Sequence, residues 1–219
     1  MDEVQLFAGT LATLPPEGAP SGIFKQALVC AMELGPEGLA GDVQADRRAH
    51  GGPEKALCHY PAQHYGALAR RFPALAALLL PGSLGENLST GVWDEHSVHI
   101  GDVYALGECR LQVSQPRSPC WKIDHKLGVA DVARHIAEEG ITGWYYRVLA
   151  GGRVAPGMRF ELLERNTAAV SVARLWRVHR AHRPDVAELR AVADAPGLAP
   201  LWRKKLLERR SWLDKLAGR

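Results

Sequence analysis

The chain has no long apolar run. Its longest, Ala74 to Leu80, is far short of the roughly twenty residues a membrane-spanning helix needs. The opening, Met-Asp-Glu-Val-Gln, carries neither a basic stretch nor an apolar segment, so no secretory leader is expected. Cysteine is scarce: Cys30, Cys58, Cys109 and Cys120 lie far apart, without a Cys-x-x-Cys. That spacing argues against a zinc ribbon or a chain-borne iron–sulfur cluster and suits free thiols in a reducing cytoplasm. Gly-x-Gly-x-x-Gly and the P-loop spacing are both missing, which removes the usual signatures of dinucleotide and nucleoside-triphosphate binding. No internal repeat, low-complexity tract or long linker interrupts the 219 residues.

What is present describes a globular protein with a proper core. Hydrophobic content is 47% and charged content 23%, ordinary values for a soluble domain. The net charge of +3 conceals an asymmetry: residues 165–219 hold 13 Lys/Arg against 5 Asp/Glu, and residues 1–164 hold 14 against 19. A basic C-terminal segment on an acidic body suggests two units with different jobs.

The first 164 residues read as short strands separated by Gly and Pro, with helical inserts. Strands are expected at Val4–Ala8, Gly22–Leu28, Val98–Ile100, Val103–Leu106, Cys109–Ser114, Trp144–Leu149 and Arg159–Leu163. Gly101-Asp102 and Gly107-Glu108 suit turns between three of them, and Gly151-Gly152 a further hairpin. One helix is expected from Pro61, with Tyr65, Leu68 and Ala69 on one face, and a second from Val129 to Glu138. Beyond Asn166 the apolar spacing becomes helical. Thr167 is placed to cap a helix bearing Val170, Ala173, Leu175 and Trp176. Another starts at Pro184 and ends at Pro196-Gly197, and a third runs from Pro200 past Trp202, Leu206 and Trp212. The fold class is therefore α+β: a β-barrel-rich unit over residues 1–164, then a three-helix bundle over 165–219.

Three strings could carry chemistry. Ser114-Gln-Pro-Arg117-Ser-Pro-Cys120 holds a cysteine on a loop stiffened by Pro116 and Pro119, which forbid helix there. Arg117 and Lys122 flank Cys120, and neighbouring cations favour the thiolate, the form that attacks electrophiles and binds metals. His50-Gly51-Gly52-Pro53-Glu54-Lys55 pairs two glycines that permit positive φ, so that backbone N–H groups can converge on an anion. Arg47, Arg48 and Lys55 flank it in an otherwise acidic region; taken alone, the string also reads as a structural turn. Gly85-Glu86-Asn87-Leu88 places an amide able to donate and accept at a turn. Lys25, taken alone, reads as a solvent-facing cation at a strand edge. His59 and His64 are read as structural, since their spacing of five does not match a helical zinc pair.

In combination and order these strings are more specific than any one alone. Ile23-Phe-Lys25, Gly41-Asp42 with Ala45-Asp46, His50-Gly-Gly-Pro-x-Lys55-Ala, Tyr60-Pro61, Gly85-Glu-Asn-Leu88 and Ser114-Gln-Pro-Arg-x-Pro-Cys120 together resemble the MOSC domain family. That family takes its name from the C-terminal domain of molybdenum cofactor sulfurases, and the resemblance extends over essentially the whole chain. It implies a β-barrel that binds molybdenum cofactor, a pterin with dithiolene sulfurs and a phosphate tail, with Cys120 as thiolate ligand to molybdenum and catalytic residue. Lys25, Arg47, His50, Gly51, Gly52, Lys55, Glu86, Asn87, Ser114 and Arg117 would bind the cofactor. The implied activity is detoxifying reduction of N-hydroxylated compounds, hydroxylaminopurine-type base analogues among them, to amines.

A thiolate is a soft ligand suited to a redox metal already held by sulfur, and reduction at nitrogen is work for a cofactor. No pyridoxal-phosphate desulfurase domain precedes the barrel, so full sulfurase activity is not expected. Electrons are expected from a separate flavin or iron–sulfur reductase, and a homodimer is compatible with the sequence. The other reading from the same residues is a non-catalytic carrier of cofactor or sulfur, with a persulfide on Cys120. No membrane partner is expected. Nucleic acid is not expected either: Arg177, Arg180, Arg203 and Arg210 read as solvated faces or as docking for an acidic redox partner. Trp176, Trp202 and Trp212 read as bundle core.

Overall fold

The computed structural model describes residues 3–16, 18–166 and 170–217. Thr167, expected as a helix cap, lies outside the described residues. Strands β1 (Gln5–Ala8), β2 (Ala12–Leu14), β3 (Ala19–Ser21), β4 (Gln26–Ala27), β5 (Met32–Gly35) and β6 (Gly38–Leu39) lead into helix α1 (Arg47–His50). Then come β7 (Leu57–His59), α2 (Gln63–Arg71), β8 (Leu88–Ser89) and the hairpin of β9 (Val103–Leu106) with β10 (Cys109–Pro116). Helices α3 (Lys122–Leu127) and α4 (Val132–Glu139) precede β11 (Trp144–Ala150), β12 (Gly152–Val154) and β13 (Phe160–Glu164). Helices α5 (Val172–Arg180), α6 (Val186–Ala193) and α7 (Pro200–Ala217) complete the chain.

Eight strands form the main sheet in the order β13-β9-β10-β11-β7-β8-β1-β4. Pairing is antiparallel except between β7 and β8. A bridge between Glu3 and Arg159 joins the approaches to β1 and β13, and Val4 N–H donates to the Met158 carbonyl at 3.1 Å. The sheet is thereby curled into a barrel. Alternation along β10 sends Cys109, Leu111 and Val113 inward, as the period of two in a strand requires. Leu6, Leu57, Tyr104, Trp144, Tyr146 and Phe160 join them in the barrel core.

Several expected elements differ. Only Gln26–Ala27 of the strand expected over Gly22–Leu28 is a strand; the residues before it cross the barrel mouth as irregular chain. Val98–Ile100 is reduced to a single bridge from His99 to Ser171. Gly151-Gly152 does not close a hairpin, because β12 pairs with β5. A Cβ on Gly151 would lie 2.4 Å from the Leu34 carbonyl oxygen, so this glycine permits a close crossing rather than a tight turn. Helix α2 starts at Gln63, buries Tyr65 and Leu68, and forms a second core with Ile123 of α3 and Ile136 of α4. Helix α3 was not anticipated: it is one turn and a half, too short for a helical period to declare itself.

Ser171 Oγ accepts the Arg174 N–H at 3.1 Å and caps α5, and Asp185 caps α6 in the same way. These helices do not form a separate core. Val172, Leu175, Leu189, Trp202 and Leu206 belong to the same buried cluster as the barrel strands. Trp176 and Trp202 are buried as expected, whereas Trp212 is exposed: it faces away from the barrel on the outer side of α7.

Candidate functional site

A cavity opens at the barrel end where the Ser114–Cys120 loop, the Gly85–Asn87 turn, the 50–55 turn and the chain around Lys25 converge. Its lining includes Lys25, His50, Lys55, Arg117, Lys122 and the thiols Cys58 and Cys120, with no carboxylate among the lining residues. Four permanent cations thus gather in the part of the chain that is acidic by composition.

Each arrives on a different element. Arg117 follows the last residue of β10, and its N–H donates to the Gly143 carbonyl at 3.0 Å, extending the pairing with the β11 side by one step. The guanidinium is buried and donates to the Leu84 carbonyl. Burial opposes its charge, but Cys58, Tyr145, Glu86 and Cys120 around it hold its pKa above the ordinary arginine value. The loop then turns at Pro119 and leaves Cys120 half-buried in the lining. Across the cavity Cys58, on β7, stands opposite Tyr145 on β11. Burial pushes the Cys58 thiol up to about 11, against the pull of the adjacent Arg117. At neutral pH Cys58 is therefore a thiol, and Arg117 is a cation serving both cysteines.

His50 ends α1 and faces the same space. Burial, with Lys122, Lys55 and Arg117 nearby, lowers its pKa and keeps the imidazole neutral at pH 7. Lys55 is lowered too, first by burial and then by Lys205 of α7. Gly51 and Gly52 do not line the cavity; they shape the turn that does. A Cβ on Gly51 would sit 2.2 Å from Gln44 Oε1, displacing a side chain that lines the cavity. Gly52 has φ of 88° as it enters the 53–55 turn, a conformation in which glycine alone is unstrained.

Lys25 is not solvent-facing. It is buried and ion-paired with buried Asp42, which also accepts from Asn87 Nδ2 at 2.9 Å and from Gly9 N–H at 2.9 Å. Asn87 lines the cavity, yet its amide serves the protein: Nδ2 also donates to the Phe7 carbonyl, and Oδ1 accepts the Cys58 N–H at 3.1 Å. Its two donors are spent on Phe7 of β1 and on Asp42, and its carbonyl oxygen on Cys58 of β7.

Besides Gly51 and Gly52, three expected binding residues fall outside the lining. Arg47 points outward, its side chain 64% exposed and paired with Glu37. Glu86 is fully buried and accepts from the Tyr65 hydroxyl and from Gly82 N–H; its carboxylate holds the turn and does not reach the lining. Ser114 Oγ lies 2.6 Å from the Glu54 carbonyl oxygen and 3.1 Å from that of Tyr145, so it ties β10 to the 53–55 turn from behind. Conversely, Cys58, Tyr145 and Gln44 were missed. A buried strand cysteine looks like core in any sequence, and only strand pairing turns it toward the cavity. His59 and His64 are structural: the His59 ring nitrogens lie 3.1 Å from Tyr146 Oη and from Thr90 Oγ1, and His64 meets Glu95 at 2.8 Å. Among the described residues no cluster of three His, Cys, Asp or Glu could hold a metal ion by itself.

The curled barrel with a thiol and cations at its mouth defines a MOSC domain. The chain belongs to that family, whose pattern matches residues 46–161. Over 211 residues, 94% of this chain and 92% of the relative, it is 38% identical to protein YiiM of Escherichia coli (strain K12). A crystal structure of YiiM from Escherichia coli superposes with a TM-score of 0.81 at 32% identity, covering 100% of this chain and 94% of that one. A protein named Reductase from Gibberella moniliformis is 35% identical over 162 residues, which is 74% of this chain and 29% of that protein. The MOSC domain is associated with molybdenum cofactor. The donor set fits such a group: a soft sulfur ligand is available in Cys120, and the cations around it suit an anionic tail. No helix among the described residues is long and apolar enough to cross a membrane.

Proposed function

We propose that this chain is a molybdenum-cofactor-dependent reductase that converts N-hydroxylated compounds, hydroxylaminopurine-type base analogues in particular, to amines. The observation that carries the reading is the half-buried Cys120 in a cavity whose charged lining residues are all cationic. Its similarity to YiiM and to a fungal protein named Reductase supports the redox class. The net reaction is R–NHOH plus two electrons and two protons to R–NH2 plus water, and the bound cofactor supplies the two-electron chemistry.

The chain's own residues bind, orient and exclude. Cys120 would hold the metal, while His50, Lys55, Arg117 and Lys122 would meet the anionic parts of the cofactor. Lys25, neutralised by Asp42, keeps its shape role without adding net charge. Arg117 does two jobs: it keeps the Gly85–Asn87 turn in place through Leu84, and it sets positive potential between the two thiols. Neutral His50 can receive or hand on a proton at its ring, which a permanent cation there could not do.

The test is metal analysis of protein purified from a cofactor-making host. Wild type is expected to carry molybdenum and to reduce hydroxylaminopurine with a chemical electron donor; Cys120→Ala is expected to lose both. Unchanged metal and activity in that variant would sink the role of Cys120. Molybdenum without any reduction by wild type would favour the non-catalytic carrier.

A further inference from the structure

Helix α7 carries two unlike faces. Trp202 and Leu206 are buried against the barrel, while Leu201, Trp212 and Leu216 are exposed at 53%, 58% and 43%. Their spacing puts the three on one side of a helix of 3.6 residues per turn, and Lys205 falls on that line between them. Beside it a shallow groove is lined by Leu207, Trp212 and Lys215 among others. The exposed cations are not all neutralised. Arg203 pairs with Asp194, Lys204 with Glu208 and Arg210 with Asp214, but Lys205 and Lys215 have no carboxylate partner among the described residues.

The position of the stripe matters as much as its composition. The Ala199 N–H donates to the Ser114 carbonyl at 2.9 Å, so α7 starts from β10 just ahead of the loop that carries Arg117 and Cys120. Lys205 acts electrostatically on Lys55 in the cavity lining. An apolar, cationic stripe thus runs outward from the rim of the candidate site.

We infer that the Leu201–Leu216 stripe of α7 docks an acidic, single-domain electron carrier. The inference rests on the reductase reading, which needs two electrons per turnover from outside the chain. Acidic charge around an apolar centre on the carrier complements this face, and steering by unlike charge speeds encounter. A second copy of this chain would set the same cations against themselves in a two-fold contact. The interruption of the apolar line by Glu208 and the cations leaves too little continuous apolar surface for a membrane-lying helix.

Calorimetric titration with two purified probes, a flavodoxin and an acidic [2Fe–2S] ferredoxin, tests this without any turnover. Wild type is expected to bind at least one, with affinity falling as ionic strength rises. The single variants Lys215→Glu and Trp212→Ser are each expected to weaken binding about tenfold or more, with circular dichroism and melting unchanged. Their reduction of hydroxylaminopurine with a small viologen donor, which needs no docking surface, is expected to equal that of wild type. Equal affinity in wild type and variants, or no binding to either carrier, overturns the inference. So does finding that the same substitutions instead abolish self-association or binding to anionic phosphatidylserine vesicles. A loaded wild type that gives no turnover with viologen sinks the reductase reading alone, and the titration still decides the surface.

Discussion

Cys120 and Arg117 carried the most legible signal in the chain, because proline geometry and a cation beside a thiol have consequences wherever they fold. Their neighbours were less legible. Glu86 and Ser114 stand in the same strings by order, yet Glu86 accepts from Tyr65 and Gly82 N–H and Ser114 ties to backbone carbonyls beneath the cavity. Side-chain direction decides this, and adjacent residues in a string need not share it. Trp121 raises the opposite case: it follows Cys120, is 49% exposed, and packs its ring 4.6 Å from that of His125. Trp121 does not line the cavity, but its exposed indole is the aromatic ring next to Cys120 in the chain, and a planar base held at the cavity mouth is expected to stack on it. Trp121→Ala is expected to raise the KM for hydroxylaminopurine by about tenfold, in line with roughly 1–3 kcal/mol for base–aromatic stacking, with molybdenum content unchanged. Steady-state kinetics beside metal analysis checks it, and a KM equal to that of wild type would exclude the contact.

The Gly82–Asn87 turn shows how one short element can organise a site that several distant segments build. Arg117 holds it at Leu84, Lys126 donates to the Ser83 carbonyl at 2.6 Å, and Glu86 closes it on Gly82. Gly85 has φ of 85°, and a Cβ there would meet Ile23 Cγ1 at 2.6 Å and the Ile23 Cα at 3.2 Å. Ile23 lines the cavity, so the clash would be passed straight to the site. Gly85→Ala is expected to cost about 3 kcal/mol from combined strain and overpacking, read as a lower midpoint in urea and a loss of bound molybdenum. A wild-type midpoint would show that the turn relaxes freely. The glycine itself was visible in the sequence; that its freedom is needed against Ile23, sixty residues earlier in the chain, was not.

The molecule as a whole couples its core to pH through His59. The ring is fully buried between Trp144, Tyr146, Thr90 and Phe160, and burial lowers its pKa to about 3. An unfolded histidine binds a proton near pH 6.5, and the folded one does not until about 3. Stability from this group is therefore complete above pH 6.5 and declines as pH falls toward 3, by about 1 kcal/mol per pH unit. Urea midpoints at pH 7 and pH 5 should fall for wild type, with a shallower fall in His59→Gln; parallel falls would assign the acid sensitivity to other groups. The charge asymmetry along the chain suggested two units, and the shared core of barrel strands and C-terminal helices shows how closely they are packed. From the sequence alone came the strand-rich body, the helical C-terminal segment and the loop bearing Cys120, because local periodicity, proline geometry and charge are properties of neighbours along the chain. Barrel closure through Glu3 and Arg159, the pairing of β12 with β5, the turning of Cys58 into the cavity and the exposure of Trp212 came from the folded arrangement. Each depends on contacts between residues far apart in the chain, and local patterning carries no record of which distant surface a side chain will meet.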